Sequence, residues 1–78
     1  MSRRIPLTFS ALADIYDAGG RLYIFDYNRK AYRKAVGAWT AEAAWKQLSS
    51  QLPSGLMLDE QTGDIWAGRK TIYRLDVA

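Results

Sequence analysis

The chain of 78 residues contains neither cysteine nor histidine. Without cysteine there is no disulfide framework and no thiolate metal site, so packing alone has to stabilise the fold. Without histidine the commonest general base, the usual zinc ligand and the side chain that changes charge near neutral pH are all missing. Histidine-based triads and zinc centres are thereby excluded. Long apolar runs are missing too: none approaches the roughly 20 residues that span a bilayer. Ser2-Arg3-Arg4 leads into a mixed segment, not a hydrophobic signal core. The sequence therefore predicts no transmembrane segment, no signal peptide and no membrane partner. The acidic residues are scattered among turns and segment ends without the pairing that a hydrolytic cleft requires. Asp59, Glu60 and Asp64 belong to one turn and supply too few oxygens for a calcium cage. No enzyme activity, catalytic residue, metal or cofactor is expected.

What is present suits one small core. Apolar residues make up 49% of the chain, with three Trp, five Tyr and two Phe, which places it outside the disordered class and within reach of a single domain over 1–78. Eleven basic against eight acidic residues give a formal charge of +3, a mild preference for acidic partners. The excess is local: Arg29, Lys30, Arg33 and Lys34 crowd one short stretch, bracketed by Tyr27 and Tyr32. These six residues form the candidate partner-binding site, with the tyrosine rings able to cover an acidic partner or stack on bases. The same charges also suit a solvated hairpin tip or helix face. Trp39, Trp45 and Trp66 read as core or rim anchors, and any one left exposed becomes a contact hot spot.

Periodicity divides the chain without linkers or repeats. Ile5, Leu7 and Phe9 alternate with polar residues or proline as in a half-buried strand, and Pro6, which has no N–H to give a ladder, assigns that strand to a sheet edge. Residues 11–18 fit either a helical turn or an irregular crossing, stopped by Gly19-Gly20. Arg21 to Tyr27 is apolar on both faces and predicts a central strand. Asn28 to Gly37 reads as a turn plus return strand or as a short helix. Thr40 caps the clearest helix, which runs over 40–52 with Ala41, Ala44, Trp45, Leu48 and Leu52 at helical spacing and is closed by Pro53. Leu56 and Leu58, a turn from Asp59 to Gly63, then Ile65 and Trp66 form a hairpin in which Gly63 takes the positive φ. A last strand places Thr71, Tyr73, Leu75 and Val77 on one face and Ile72, Arg74 and Asp76 on the other.

The stretch from Leu52 to Ile65, Leu-Pro-Ser-Gly-Leu-Met-Leu-Asp-Glu-Gln-Thr-Gly-Asp-Ile, resembles the motif Leu-Pro-x-Gly-Leu-x-Leu-Asp-x-x-Thr-Gly-x-Ile of immunoglobulin-like domains in bacterial surface and phage proteins. The specific match covers the last third of the chain. Pro6 to Ser10 and Gly20 to Phe25 are more loosely similar to that family's opening strands. Two departures are Trp66-Ala67-Gly68-Arg69, where the family carries a Gly-Thr-Pro element, and a longer, more helical middle from Asn28 to Leu52. The resemblance implies a mainly β fold, a small immunoglobulin-like β-sandwich with one inserted helix near 40–52. It further implies a non-enzymatic protein–protein interaction module, a phage-encoded virion structural or decoration component located in the virion or the host cytoplasm.

Two other readings stay open. The element order also matches an α+β fold or a winged helix, in which helices over 28–36 and 40–52 precede a hairpin wing; that implies a small DNA-binding regulator, although Lys46 and Gln47 share the recognition helix with Glu42. Length and composition also permit a phage-borne inhibitor of host defence machinery, of the anti-CRISPR kind. The expected partner is a protein, acidic or part of a larger assembly, with nucleic acid as the lesser alternative.

Overall fold

Thr8 and Thr40 start the two helices. Thr8 sits in extended conformation with its Oγ1 accepting from the Ala11 N–H (3.2 Å), and Thr40 Oγ1 accepts from the Ala43 N–H (3.2 Å), so each relieves one of the donors that a helix start leaves unpaired. The computed structural model describes residues 3–25, 32–51 and 55–77, with residue 33 described by its backbone alone. Helix α1 (Phe9–Asp17) resolves the ambiguity over 11–18 in favour of a helix. It ends in a Schellman turn: Gly19, at φ 84°, donates to the Tyr16 carbonyl (3.0 Å) and Gly20 to that of Ile15 (2.7 Å). Helix α2 (Ala41–Gln51) lies where the spacing predicts it, and Glu42 in its first turn complements the positive helix end.

Six strands build one antiparallel sheet: β1 (Arg4–Pro6), β2 (Leu22–Phe25), β3 (Tyr32–Ala35), β4 (Met57–Asp59), β5 (Asp64–Ala67) and β6 (Lys70–Leu75), in the spatial order β1-β4-β5-β6-β2-β3. Pro6 does lie on an edge strand, and β2 is interior, paired with β6 and β3. The stretch that read as strand or helix contains β3. Helix α1 carries the chain from the β1 edge to β2, and α2 carries it from the β3 edge back to β4.

The core joins both helices to one sheet face. Leu12 of α1 and Ala44 and Leu48 of α2 are fully buried against Leu22, Leu58, Ile65, Tyr73 and Leu75. Each buried leucine or isoleucine there stabilises by about 1.5–3 kcal/mol relative to exposure. The architecture is thus α+β, a β-rich sheet with two helices on one side. The second sheet of an immunoglobulin-like sandwich is not among the described residues, because the helical stripes of α1 and α2 already cover the apolar face that it would occupy. Nor does the helix pair of a winged helix form, since 32–35 pairs with β2 as a strand. Trp39, Trp45 and Trp66 are all half-buried, but only Trp39 and Trp45 pack against the core; Trp45 meets Phe9 edge-on, with centroids 6.2 Å apart.

The β4–β5 hairpin is held from within. Asp59 is 5% exposed, and its Oδ1 accepts from the N–H groups of Gln61 (3.0 Å) and Thr62 (3.3 Å) while its carbonyl accepts from Gly63 (2.8 Å). Gly63 has φ 80°, and its Cα lies so close to β6 that a methyl group would overlap the Leu75 carbonyl. Gly63→Ala is therefore expected to destabilise by roughly 2 kcal/mol or more, combining backbone strain with a clash against main chain that cannot rotate away. Urea unfolding monitored by circular dichroism tests this, and an unchanged midpoint would contradict it.

Candidate interaction surface

Strand alternation gives the sheet a second face, turned away from the helices. Because Leu22, Leu58, Ile65, Tyr73 and Leu75 point into the core, Arg4, Met57, Asp64, Trp66, Arg74, Tyr23, Phe25 and Tyr32 belong to the opposite face, and none of them joins the core cluster. Among the described residues both helices pack on the core side, which leaves this face open.

Arginines and aromatic rings pair across it. The Arg4 guanidinium lies 3.6 Å from the centroid of the Trp66 ring, and that of Arg74 lies 4.2 Å from the Tyr32 ring. Phe25 meets Tyr32 edge-on at 4.6 Å and 80°. Asp64 fastens the group: its Oδ1 accepts from the Tyr32 hydroxyl (2.6 Å) and from Arg74 Nε (2.9 Å), and it forms an ion pair with Arg74 Nη2 (2.8 Å). In sheet order β3 is three strands from β5, about 14 Å in a flat sheet. A direct contact between Tyr32 and Asp64 therefore requires the sheet to curl toward this face. The irregularities between Ile24 and Phe25 and between Ile65 and Trp66 supply the extra twist.

These contacts shift two ionisations in opposite directions. Burial alone would raise the Asp64 pKa, but the hydrogen bonds from Tyr32, Thr62 and Arg74 and the Arg74 charge outweigh it and hold the carboxyl below the usual carboxylate range. Burial, followed by the bond to Asp64 and its negative charge, pushes the Tyr32 phenol well above its ordinary value against the lowering influence of Arg74. Among the described residues the buried Trp66 Nε1 donor has no hydrogen-bond partner, an unfavourable state for a buried polar group.

Of the six residues predicted as the site, Tyr27, Arg29 and Lys30 lie outside the described residues, and Arg33 is placed in β3 by its backbone. Tyr32 and Lys34 diverge. The irregular β2–β3 register turns Tyr32 to the open face, while Lys34, paired with Ile24, is exposed on the helix side. Arg4, Asp64, Trp66 and Arg74 complete the surface and were not predicted as site residues. Each occupies the off-core position of an alternating strand, a signal that acquires meaning only once the pairing is known. Charge separates by layer as well. The two helices carry Asp14, Asp17, Glu42 and Lys46, a net −2, whereas the strands carry Arg4, Arg33, Lys34, Lys70 and Arg74 against Asp59 and Asp64, a net +3.

The sign of each pKa shift fixes a pH dependence. Asp64, lowered on folding, contributes stability that is present above the ordinary carboxylate range and lost as pH falls through its folded pKa. Tyr32, raised on folding, contributes stability that is present below about pH 10 and lost as pH rises past that ordinary phenol value. Tyr32→Phe is expected to cost about 1 kcal/mol at pH 7, a figure discounted for the partial exposure of the network, and to flatten the alkaline fall; Asp64→Asn flattens the acid one. Melting temperatures measured from pH 2 to 11 test both, and variants that keep both limbs would show that the network is not responsible. No family model, curated protein or solved structure matches the chain, so its activity has to be read from the surface itself.

Proposed function

We propose that the chain is a non-enzymatic protein-interaction module that presents the open face of its sheet to an acidic partner. The observation that carries this reading is the pair of arginine-capped aromatic rings, Arg4 on Trp66 and Arg74 on Tyr32, on a face that no described element covers. Tryptophan, tyrosine and arginine are the side chains that dominate interface energetics, because they combine large apolar area with a polar or charged edge. The positive balance of the sheet layer selects for an acidic surface opposite.

Contact through the face is favoured over strand addition at an edge. The β1 edge contains Pro6, which lacks a donor, and β3 is short, irregularly paired and charged at Lys34, devices that discourage another strand from joining. Asp64 supports a non-catalytic reading, since one of its oxygens already accepts two hydrogen bonds beside an ion pair with Arg74 and its lowered pKa is opposite to what a general acid requires. The hairpin stretch that resembles immunoglobulin-like domains favours a phage virion component as the setting. An inhibitor of host defence machinery would use the same surface. Nucleic acid is the second reading, supported by the two guanidinium planes on which bases stack.

Arg4→Glu tests the surface with little effect on the fold, because an exposed cation–π contact contributes about 0.5–1 kcal/mol. Quantitative co-purification from the native cell, comparing this variant with the wild-type chain at low and physiological salt, is expected to show an acidic protein reduced roughly tenfold or more. Retention of every partner by the variant would remove the open face from the interaction. Selective loss of nucleic acid would establish the second reading in place of the first.

A further inference from the structure

On the helix side of the β3 edge, a cavity of about 350 Å³ opens between the end of α1 and the residues that follow β3. Its size falls within the range of ligand sites, roughly 300–1,000 Å³. Six residues define its chemistry: Tyr16, Gly20, Arg21, Val36, Gly37 and Trp39. Arg21 is exposed and brings a permanent cation with a forked set of donors. Trp39 and Val36 supply apolar walls, and both pack against the core. Tyr16 contributes a buried hydroxyl that has no hydrogen-bond partner among the described residues, an unfavourable state that most buried polar groups avoid. The carbonyls ending α1 do not present free lone pairs in every direction here, since Asp14, Ile15 and Tyr16 already accept from Ala18, Gly20 and Gly19.

We infer that this cavity is a carboxylate-binding site, with Arg21 pairing with the carboxylate, the Tyr16 hydroxyl donating to it after a small side-chain adjustment, and Trp39 and Val36 holding the apolar body that carries it. The inference rests on the acidic-partner reading only for the source of the group. A carboxylate reaches the cavity either as an acidic side chain of the partner docked beside β3 or as a free small-molecule acid. An arginine fork matches either, because planar bidentate pairing depends on the carboxylate alone.

Three probes separate these cases: phenylacetate, its neutral analogue phenylacetamide, and an acetylated and amidated Gly-Glu-Gly peptide. Binding is followed by two-dimensional NMR of the Gly20, Gly37 and Trp39 indole resonances. Saturable shifts with phenylacetate or the peptide, weakened roughly tenfold or more by Arg21→Gln, support the site. The tighter of the two probes identifies its source. Tyr16→Phe is expected to weaken binding several-fold while leaving melting unchanged or higher, since it removes an unpaired donor. Gly37→Val offers an obstruction independent of charge: a side chain at Gly37 meets nothing within 4 Å, so the fold tolerates it while the rim of the cavity narrows. Equal binding of phenylacetamide, unaltered binding by Arg21→Gln, or no shift with either acid would overturn the proposal. Arg4→Glu, on the opposite face, is expected to leave the probes unaffected. Loss of partner binding in that variant alongside a silent cavity would leave the module reading standing and reject the carboxylate site alone.

Discussion

The sheet has one face that the helices cover and one that they do not, and most of the molecule follows from that constraint. A chain of this length buries a single core. Here Leu12, Ala44 and Leu48 spend the helical apolar surface on Leu22, Ile65 and Leu75. The opposite face then needs its own means of remaining ordered in contact with water. It has them in side chains that are apolar in body and polar at the tip: Trp66 under Arg4, and Tyr32 between Arg74 and Phe25. Such groups stabilise a face without closing it, so the same residues that order the sheet remain offered to a partner.

Asp64 is the point at which that order is concentrated. A half-buried carboxylate is costly unless it is paired and hydrogen-bonded. Arg74 meets that demand with a hydrogen bond from Nε and an ion pair through Nη2, and the Tyr32 hydroxyl adds a second hydrogen bond from across the curled sheet. A lysine in place of Arg74 would bring charge without the fork or the flat surface that lies on Tyr32. The network also ties the edge strand β3 to β5, strands separated by β6 and β2 in the sheet. Anything that reorients Tyr32 will therefore be felt at both the edge and the middle of the open face.

Local chemistry was legible where it acts over a few residues. The Thr40 cap and the Ala44–Leu48 spacing marked α2, Pro6 marked an edge strand, and Asp59 with Gly63 marked the hairpin, because each of these effects is enforced by neighbours in the chain. The hairpin is also the region that resembles immunoglobulin-like domains, and its turn chemistry operates equally well on a sheet backed by helices. Strand pairing was not legible. Nothing in the chain near residue 64 announces that Asp64 will meet Tyr32, 32 residues earlier. The sequence reading placed the basic cluster at the centre of the site as one unit, whereas an irregular register between Ile24 and Phe25 sends Tyr32 and Lys34 to opposite faces. A shift of one residue in pairing reverses which side of a sheet a side chain occupies, and composition carries no trace of it.

The two faces of the sheet carry matching chemistry at different places. On the open face Trp66 lies beneath Arg4, and on the helix side Tyr16 shares a cavity with Arg21; the Trp66 Nε1 and the Tyr16 hydroxyl are both buried without a partner among the described residues. The indole N–H can only donate, and the phenol can donate. What both surroundings lack is an acceptor, and each has an arginine nearby to hold an acceptor that carries negative charge. A ligand rich in carboxylates supplies the missing half of both arrangements, whereas a cationic or purely apolar one would leave both donors unpaired and add repulsion or desolvation of the arginines. The same chemical arrangement thus arises twice, on opposite faces and toward opposite ends of the strand order, since Arg4 and Trp66 belong to β1 and β5 whereas the cavity lies beside β3.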